Sequence, residues 1–253
     1  MKKLAKIFAL AALMMMGGQA LAQQSRGNFF LSASFPLKDY ADFDGFNDFA
    51  LTSYDLDDDD AGAGIGFNAG IKWYFNMGVE GLGVMLSLDG FYNGPNSDLK
   101  DAYKNGQGSW GNQILGGSFK YESTPRYINV PAMLGLNYIF HFNSNLGLYV
   151  EAGAGGNFRF ITDMESMTQG NVGPLTAQTK LINNYESAFT FAYQVGAGFQ
   201  VARKLVVGCS FYDLGKAGVK GDRIVKNDPN SPYHETWGTV HPIMVLARIG
   251  FCF

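Results

Sequence analysis

Eight stretches of the chain alternate apolar and polar residues with a period of two. That is the pattern of a β-strand with one face against an apolar medium. They cover residues 29–35, 63–75, 82–92, 127–140, 146–160, 189–201, 205–212 and 242–253. The second is the cleanest, with Ile65, Phe67, Ala69, Ile71, Trp73 and Phe75 on one side and Gly64, Gly66, Asn68, Gly70, Lys72 and Tyr74 on the other. Several stretches exceed the five or six residues usual in soluble sheets. About ten residues is what a tilted strand needs to cross a bilayer.

The connections carry a second regularity. Residues 76–81, 141–145 and 202–204 make short links, whereas the other four links run to roughly 26 to 34 residues each, so short and long alternate strictly. Compact soluble domains seldom carry four structureless loops of that length. A membrane barrel does, with tight turns on one rim and long loops on the other. The expected fold is therefore all-β: an eight-stranded antiparallel up-and-down transmembrane β-barrel with short periplasmic turns and four long extracellular loops. An open edge in lipid would leave backbone groups without partners, so the first strand should pair with the eighth.

Alternation alone does not say which face is inside. Twelve glycines fall on the polar face of the predicted strands: Gly64, Gly66, Gly70, Gly83, Gly135, Gly147, Gly153, Gly155, Gly196, Gly198, Gly208 and Gly250. Only Gly90 and Gly156 fall on the apolar face. Glycine weakens a strand interior, but it suits the inside of a narrow barrel, where little room is left for side chains. The polar face therefore points inward and the bulky apolar face meets lipid. Trp73, Phe75, Tyr138, Phe140, Phe199, Phe251 and Phe253 gather toward the short-turn rim. Phe35, Tyr92, Phe158, Phe160, Phe189, Phe191 and Tyr193 gather toward the other, as two aromatic girdles would.

Composition supports this reading: 33 glycines and 15% aromatic residues stand beside only 16% charged ones. Residues 1–22 read as a secretory leader. Lys2, Lys3 and Lys6 precede an apolar run over residues 7–16, and Ala20-Leu21-Ala22 fits the cleavage rule, leaving 23–253 as the barrel domain. Without those three lysines, 16 of the 19 basic residues remain against 22 acidic ones. That balance opposes nucleic-acid binding, which needs basic patches. The two cysteines, Cys209 and Cys252, are too few for a disulfide framework and fall on opposite strand faces.

The predicted inward face carries five charges: Lys72, Asp89, Glu151, Arg159 and Arg248. Buried charges persist when paired, so a lumen network is expected, with Glu151 meeting Arg248 or Lys72. Eight strands enclose a space just filled by side chains, which favours pairing over conduction. Residues 55–60 are rich in Asp, yet a calcium loop would need Gly at the sixth position and Glu at the twelfth; Asp60 and Gly66 stand there. Among the three histidines, His234 could join Ser231 and Glu235, but sequence neighbours seldom form a triad. No nucleophile elbow, metalloprotease helix or phosphate loop is present. The expectation is a non-enzymatic protein without cofactor or metal.

The segment Tyr127-Ile128-Asn129-Val130-Pro131 is similar to a strand found in Bacteroidetes-type outer-membrane β-barrel proteins, the porin-like or PorT-like family. The Gly-rich strands over 150–156 and 195–199 and the terminal Arg248-Ile249-Gly250-Phe251-Cys252-Phe253 resemble the same family. Ile249, Phe251 and Phe253 resemble the signal read by the barrel-assembly machinery. The resemblance implies integral residence in the outer membrane, and the even strand count puts both termini at the periplasmic rim and the long loops outside. The resemblance also implies contact with lipid and lipopolysaccharide. For activity it leaves three readings: surface binding, shielding or envelope-complex assembly; a small diffusion pore; and a component of a secretion system. An outer-membrane lipid-modifying or proteolytic enzyme is the remaining, least favoured reading.

Overall fold

Every predicted strand forms, and the ladder of hydrogen bonds runs once around and closes. The computed structural model describes residues 25–37, 40–42, 63–97, 118–172, 175–226 and 228–253. In chain order its strands begin with β1 (Ser25–Pro36), β2 (Ala41–Asp42), β3 (Gly66–Asn76), β4 (Leu82–Asn93), β5 (Ser118–Ser123), β6 (Tyr127–His141) and β7 (Leu146–Ile161). They continue with β8 (Met164–Val172), β9 (Leu175–Tyr185), β10 (Ala188–Val201), β11 (Leu205–Asp213), β12 (Ala217–Val225), β13 (Tyr233–Val240) and β14 (Ile243–Cys252). Eight of these make a closed antiparallel barrel in the order β1-β14-β11-β10-β7-β6-β4-β3, and β3 returns to β1. The expected seam between the first and last barrel strands is present, with Asn28 opposite Cys252 and Leu31 opposite Ile249.

Why these residues make these strands follows from the pleat. Along β4 the burial alternates strictly, Gly83, Met85, Ser87, Asp89 and Phe91 being inside. The faces sort as the glycine pattern implied. Leu31, Phe67, Leu134, Phe191 and Phe251 stand exposed on the outer wall, whereas Asn28, Ser32, Asn68, Asn129, Asn157 and Gln194 are buried within. Apolar residues outside and polar ones inside invert the arrangement of a water-soluble barrel, and lipid is the medium that accounts for it. Aromatic pairs reinforce the wall toward each rim: Tyr138 against Phe140 at 4.4 Å, and Phe158 against Phe189 at 5.0 Å. The Phe189 ring also covers Gly156, and the Phe253 ring covers Gly27, so two bare stretches of outward backbone are roofed by aromatics.

The short turns are built locally. Gly78 and Gly81 take left-handed conformations between β3 and β4, and Gly78 N donates to Asn76 Oδ1 at 2.8 Å. Asn143 Oδ1 accepts from the amides of Asn145 and Leu146 between β6 and β7. Between β10 and β11 the two turn residues are Ala202 and Arg203, with φ of 50° and 55°, a conformation better suited to Asn and Gly.

The long connections depart from expectation. They are not structureless: β2, β13, β12, β9, β8 and β5 form a single six-stranded sheet in that order, on the side of the barrel opposite the short turns. Their sequences, such as MESMTQGNV in β8 and LTAQTKLINNY in β9, lack a sustained apolar face, so period-two patterning could not reveal them. The proposed leader at 1–22 and the acidic run at 55–60 lie outside the described residues.

Candidate functional site: the lumen and its two mouths

At mid-depth the barrel is crossed by a connected polar cluster. Glu151, on β7, lies at its centre. Its Oε1 accepts from Lys72 Nζ of β3 at 2.5 Å and from Arg248 Nη1 of β14 at 2.9 Å. Its Oε2 accepts from the Tyr74 hydroxyl at 3.1 Å. Lys72 also donates to Gln194 Oε1 at 3.0 Å. Arg248 Nη2 donates to the Tyr212 hydroxyl at 2.7 Å, and that hydroxyl donates onward to Asp89 Oδ2 at 3.3 Å. The Phe30 ring lies under both cations, 4.7 Å from the Arg248 guanidinium and 5.6 Å from the Lys72 ammonium. Two cations and two carboxylates thus balance in a space closed to solvent, where an unpaired charge would be costly.

The inward glycines make this possible. Phe30 stands opposite Gly250, and Tyr149 packs over Gly198 and Gly208. A Cβ at Gly196 would lie 2.6 Å from Ser210 Oγ and 3.0 Å from Glu151 Oε1. At Gly198, Gly208 and Gly250 a neighbour's large side chain folds into the vacated volume, whereas at Gly135 and Gly155 the next strand's backbone comes close. Eight strands thereby hold a solid interior.

Four of the five charges expected in the lumen meet in this cluster. Arg159 does not. It is buried nearer the long-connection mouth, with no carboxylate among the described residues within ion-pair distance, and it donates to backbone oxygens of the outer sheet. Those are Val240 at 2.8 Å, Gly218 at 3.1 Å and Ala217 at 3.3 Å. The strand pattern gives the inward direction of a side chain but not its depth, which depends on register and strand tilt. Around Arg159 an apolar plug of Tyr40, Tyr127, Ile161, Leu214, Val219 and Val240 fills the mouth. Within that plug the Tyr40 hydroxyl accepts from Asn129 Nδ2 at 3.1 Å. The partners that sequence reasoning missed are Phe30, Tyr74, Gln194 and Tyr212. All four lie on the inward parity, and large residues beside inward glycines were the available signal.

Ile249, Phe251 and Phe253 share the outer face of the closing strand, and Phe253 exchanges backbone hydrogen bonds with Gly27. The histidines do not assemble a triad with Ser231. His234 Nδ1 lies 3.1 Å from Asp222, while the Ser231 hydroxyl accepts from Val225 N. His241 pairs with Asp213 at 2.9 Å, and Asp213 also accepts from the Tyr193 hydroxyl at the barrel rim. No group of three or more His, Cys, Asp or Glu side chains among the described residues is placed to hold a metal ion. Both cysteines are free thiols, Cys209 on the outer wall and Cys252 packed against the inner apolar cluster of Phe30 and Val206. On the outer sheet Lys180 bridges Glu165 at 2.6 Å and Glu122 at 3.0 Å, and these bonds raise its ammonium pKa above the ordinary lysine value.

The family model for the outer membrane protein β-barrel domain matches residues 8–225. The chain belongs to that family. The barrel is an integral outer-membrane protein of the porin-like Gram-negative type, which fits its lipid-facing wall. Similar solved structures include Ail, the attachment invasion locus protein of Yersinia pestis, at 13% identity over 91% of this chain and 100% of that one, TM-score 0.40. OprG of Pseudomonas aeruginosa is 12% identical over 91% and 96%, TM-score 0.44. A major outer membrane protein of Thermus thermophilus is 10% identical over 90% and 99%, TM-score 0.38. No curated protein matches the barrel.

Proposed function

We propose that this protein is a non-enzymatic surface-presentation barrel. Its lumen is closed by side chains, and its working part is the six-stranded sheet carried outside the membrane. The observation that carries this reading is that described segments of all four long connections join one hydrogen-bonded sheet, anchored on the barrel mouth by Arg159. A pore would need an open axis. Here the axis is filled at mid-depth by the Glu151 cluster and above it by the apolar plug. The short turns then face the periplasm and the sheet faces outward, toward lipopolysaccharide and external partners. Ile249, Phe251 and Phe253 suit contact with the barrel-assembly machinery during insertion. Residues 1–22 serve as the leader. The Tyr127–Pro131 resemblance supports placement among the PorT-like members, from which a part in secretion would follow.

Two experiments test the proposal together. Planar-bilayer recording of the purified protein should show no steady open-channel current, and such a current would refute the closed lumen. Protease added to intact cells should cut within the outer-sheet connections and leave a membrane-embedded remnant. Full protection on intact cells, with cleavage only after the envelope is opened, would reverse the orientation.

A further inference from the structure

The short-turn mouth of the lumen contains a cavity of about 180 Å³ that is open to solvent. Arg26, Tyr74, Asn137 and Ile139 line it, and the same four border a narrow recess of about 10 Å³ behind it, room for about one water. Asn76 and His141 stand at the lip, and no lining residue of either space is acidic. Ile139, Tyr149 and Val206 border the recess and pack with Phe30 into one apolar cluster.

Its charge is unbalanced. Lys72 and Arg248 share Glu151, and Arg159 has three carbonyl oxygens. Arg26, half-buried on β1, has one protein acceptor, Gln200 Oε1 at 3.0 Å, and stacks its guanidinium 5.1 Å from the Tyr74 ring. Its Nε is buried without an acceptor, and no carboxylate of the described residues lies within ion-pair distance of it. A planar guanidinium held by one bond and one ring, with donors left over and a space open to solvent before it, is preorganised for a two-oxygen acceptor.

We propose that this pocket is a binding site for a small free oxyanion, of the phosphate or carboxylate class, with Arg26 as the charge-bearing ligand and Asn137 and Asn76 as amide donors. The polar donors Arg26 and Asn137, with Tyr74 and Ile139, point into the lumen, while Phe75 and Leu82, of the outer-wall parity, only edge the cavity at the turn. The bound species is therefore a solute entering through the short-turn mouth and not a headgroup held on the lipid wall. The site is independent of what the outer sheet binds.

The test is titration of the folded protein with inorganic phosphate in zwitterionic detergent, following the Arg26 guanidinium and Asn137 side-chain amide resonances by NMR. Saturable shifts localised to these residues are expected. Excess sulfate should displace phosphate, and chloride at equal ionic strength should not. Arg26→Gln should weaken binding roughly tenfold or more, and Arg26→Lys should retain part of it. Shifts that rise linearly without saturating, or that persist unchanged in Arg26→Gln, would overturn the site. Phosphate-free nanodiscs containing phosphatidylglycerol should leave the resonances unmoved; the same shifts produced there and not by phosphate would assign the pocket to lipid and refute the proposal. If Arg26→Gln fails to fold, the sulfate–chloride comparison on the unaltered protein decides.

Discussion

Replacing Glu151 by Gln keeps the side chain's shape and removes its charge. Three donors converge on this carboxylate, Lys72 at 2.5 Å, Arg248 at 2.9 Å and Tyr74 at 3.1 Å, all in space closed to solvent. After the change the cluster holds two cations against one carboxylate, and Asp89 reaches Arg248 only through the Tyr212 hydroxyl. Breaking a buried pair in this way costs about 3–5 kcal/mol. Lys72→Met leaves the Glu151–Arg248 bond in place and should cost less, about 1–3 kcal/mol. The double variant restores neutrality, so its loss should fall short of the sum of the singles by about 1–3 kcal/mol. Urea titration in lipid vesicles, followed by tryptophan fluorescence with parallel unboiled gels, measures all three. A Glu151→Gln loss below about 1 kcal/mol with additive singles would show that the cluster is not a coupled unit, and the argument from charge balance would fail.

The other predictions are briefer. Ala202→Asn with Arg203→Gly relieves two left-handed residues in the β10–β11 turn and should stabilise the barrel by about 1 kcal/mol, read as a higher urea midpoint. Gly155→Val would drive its Cβ into the Ala132 carbonyl oxygen and set it 2.8 Å from the Met133 Cα, both backbone atoms, and should cost about 3 kcal/mol or more in the same assay. Arg159→Leu removes three bonds to the outer sheet; limited proteolysis should cut β12 or β13 sooner while the barrel keeps its heat-modifiable gel mobility.

How much of this was legible in the chain follows from which signals a strand can carry. The alternation of Ile65 to Phe75 named β3 and both of its faces because lipid and lumen impose opposite demands on neighbouring residues. The inward glycines named the inside. Nothing comparable marks β8 or β9, whose mixed polar sequences show no face selected by an apolar medium. Within the lumen, Glu151 could be read as a neighbour of Lys72 or Arg248 from shared parity and roughly comparable depth, whereas Asp89 showed only its inward parity. Arg159 lies eight residues beyond Glu151 on the same strand, and that distance carries it out of the ion-pair cluster and into the sheet junction. Tyr212 was visible only as the end of a strand, so its role between Arg248 and Asp89 needed coordinates.

The seam between β1 and β14 has a consequence for how the barrel comes into being and how it fails. Nine positions pair there, as many as between β10 and β11 or between β11 and β14, but these alone join residues 28 and 252 across almost the whole chain, with no hairpin or single connection to hold the two strands together. Every other neighbouring pair in the barrel can zip from a hairpin or a single long connection, whereas this one must await the curvature created by all the rest. The seam is therefore the last rung to form and the first to part. Under load the cylinder should split along a longitudinal crack beside Phe251, opening as a curled sheet before any hairpin gives way.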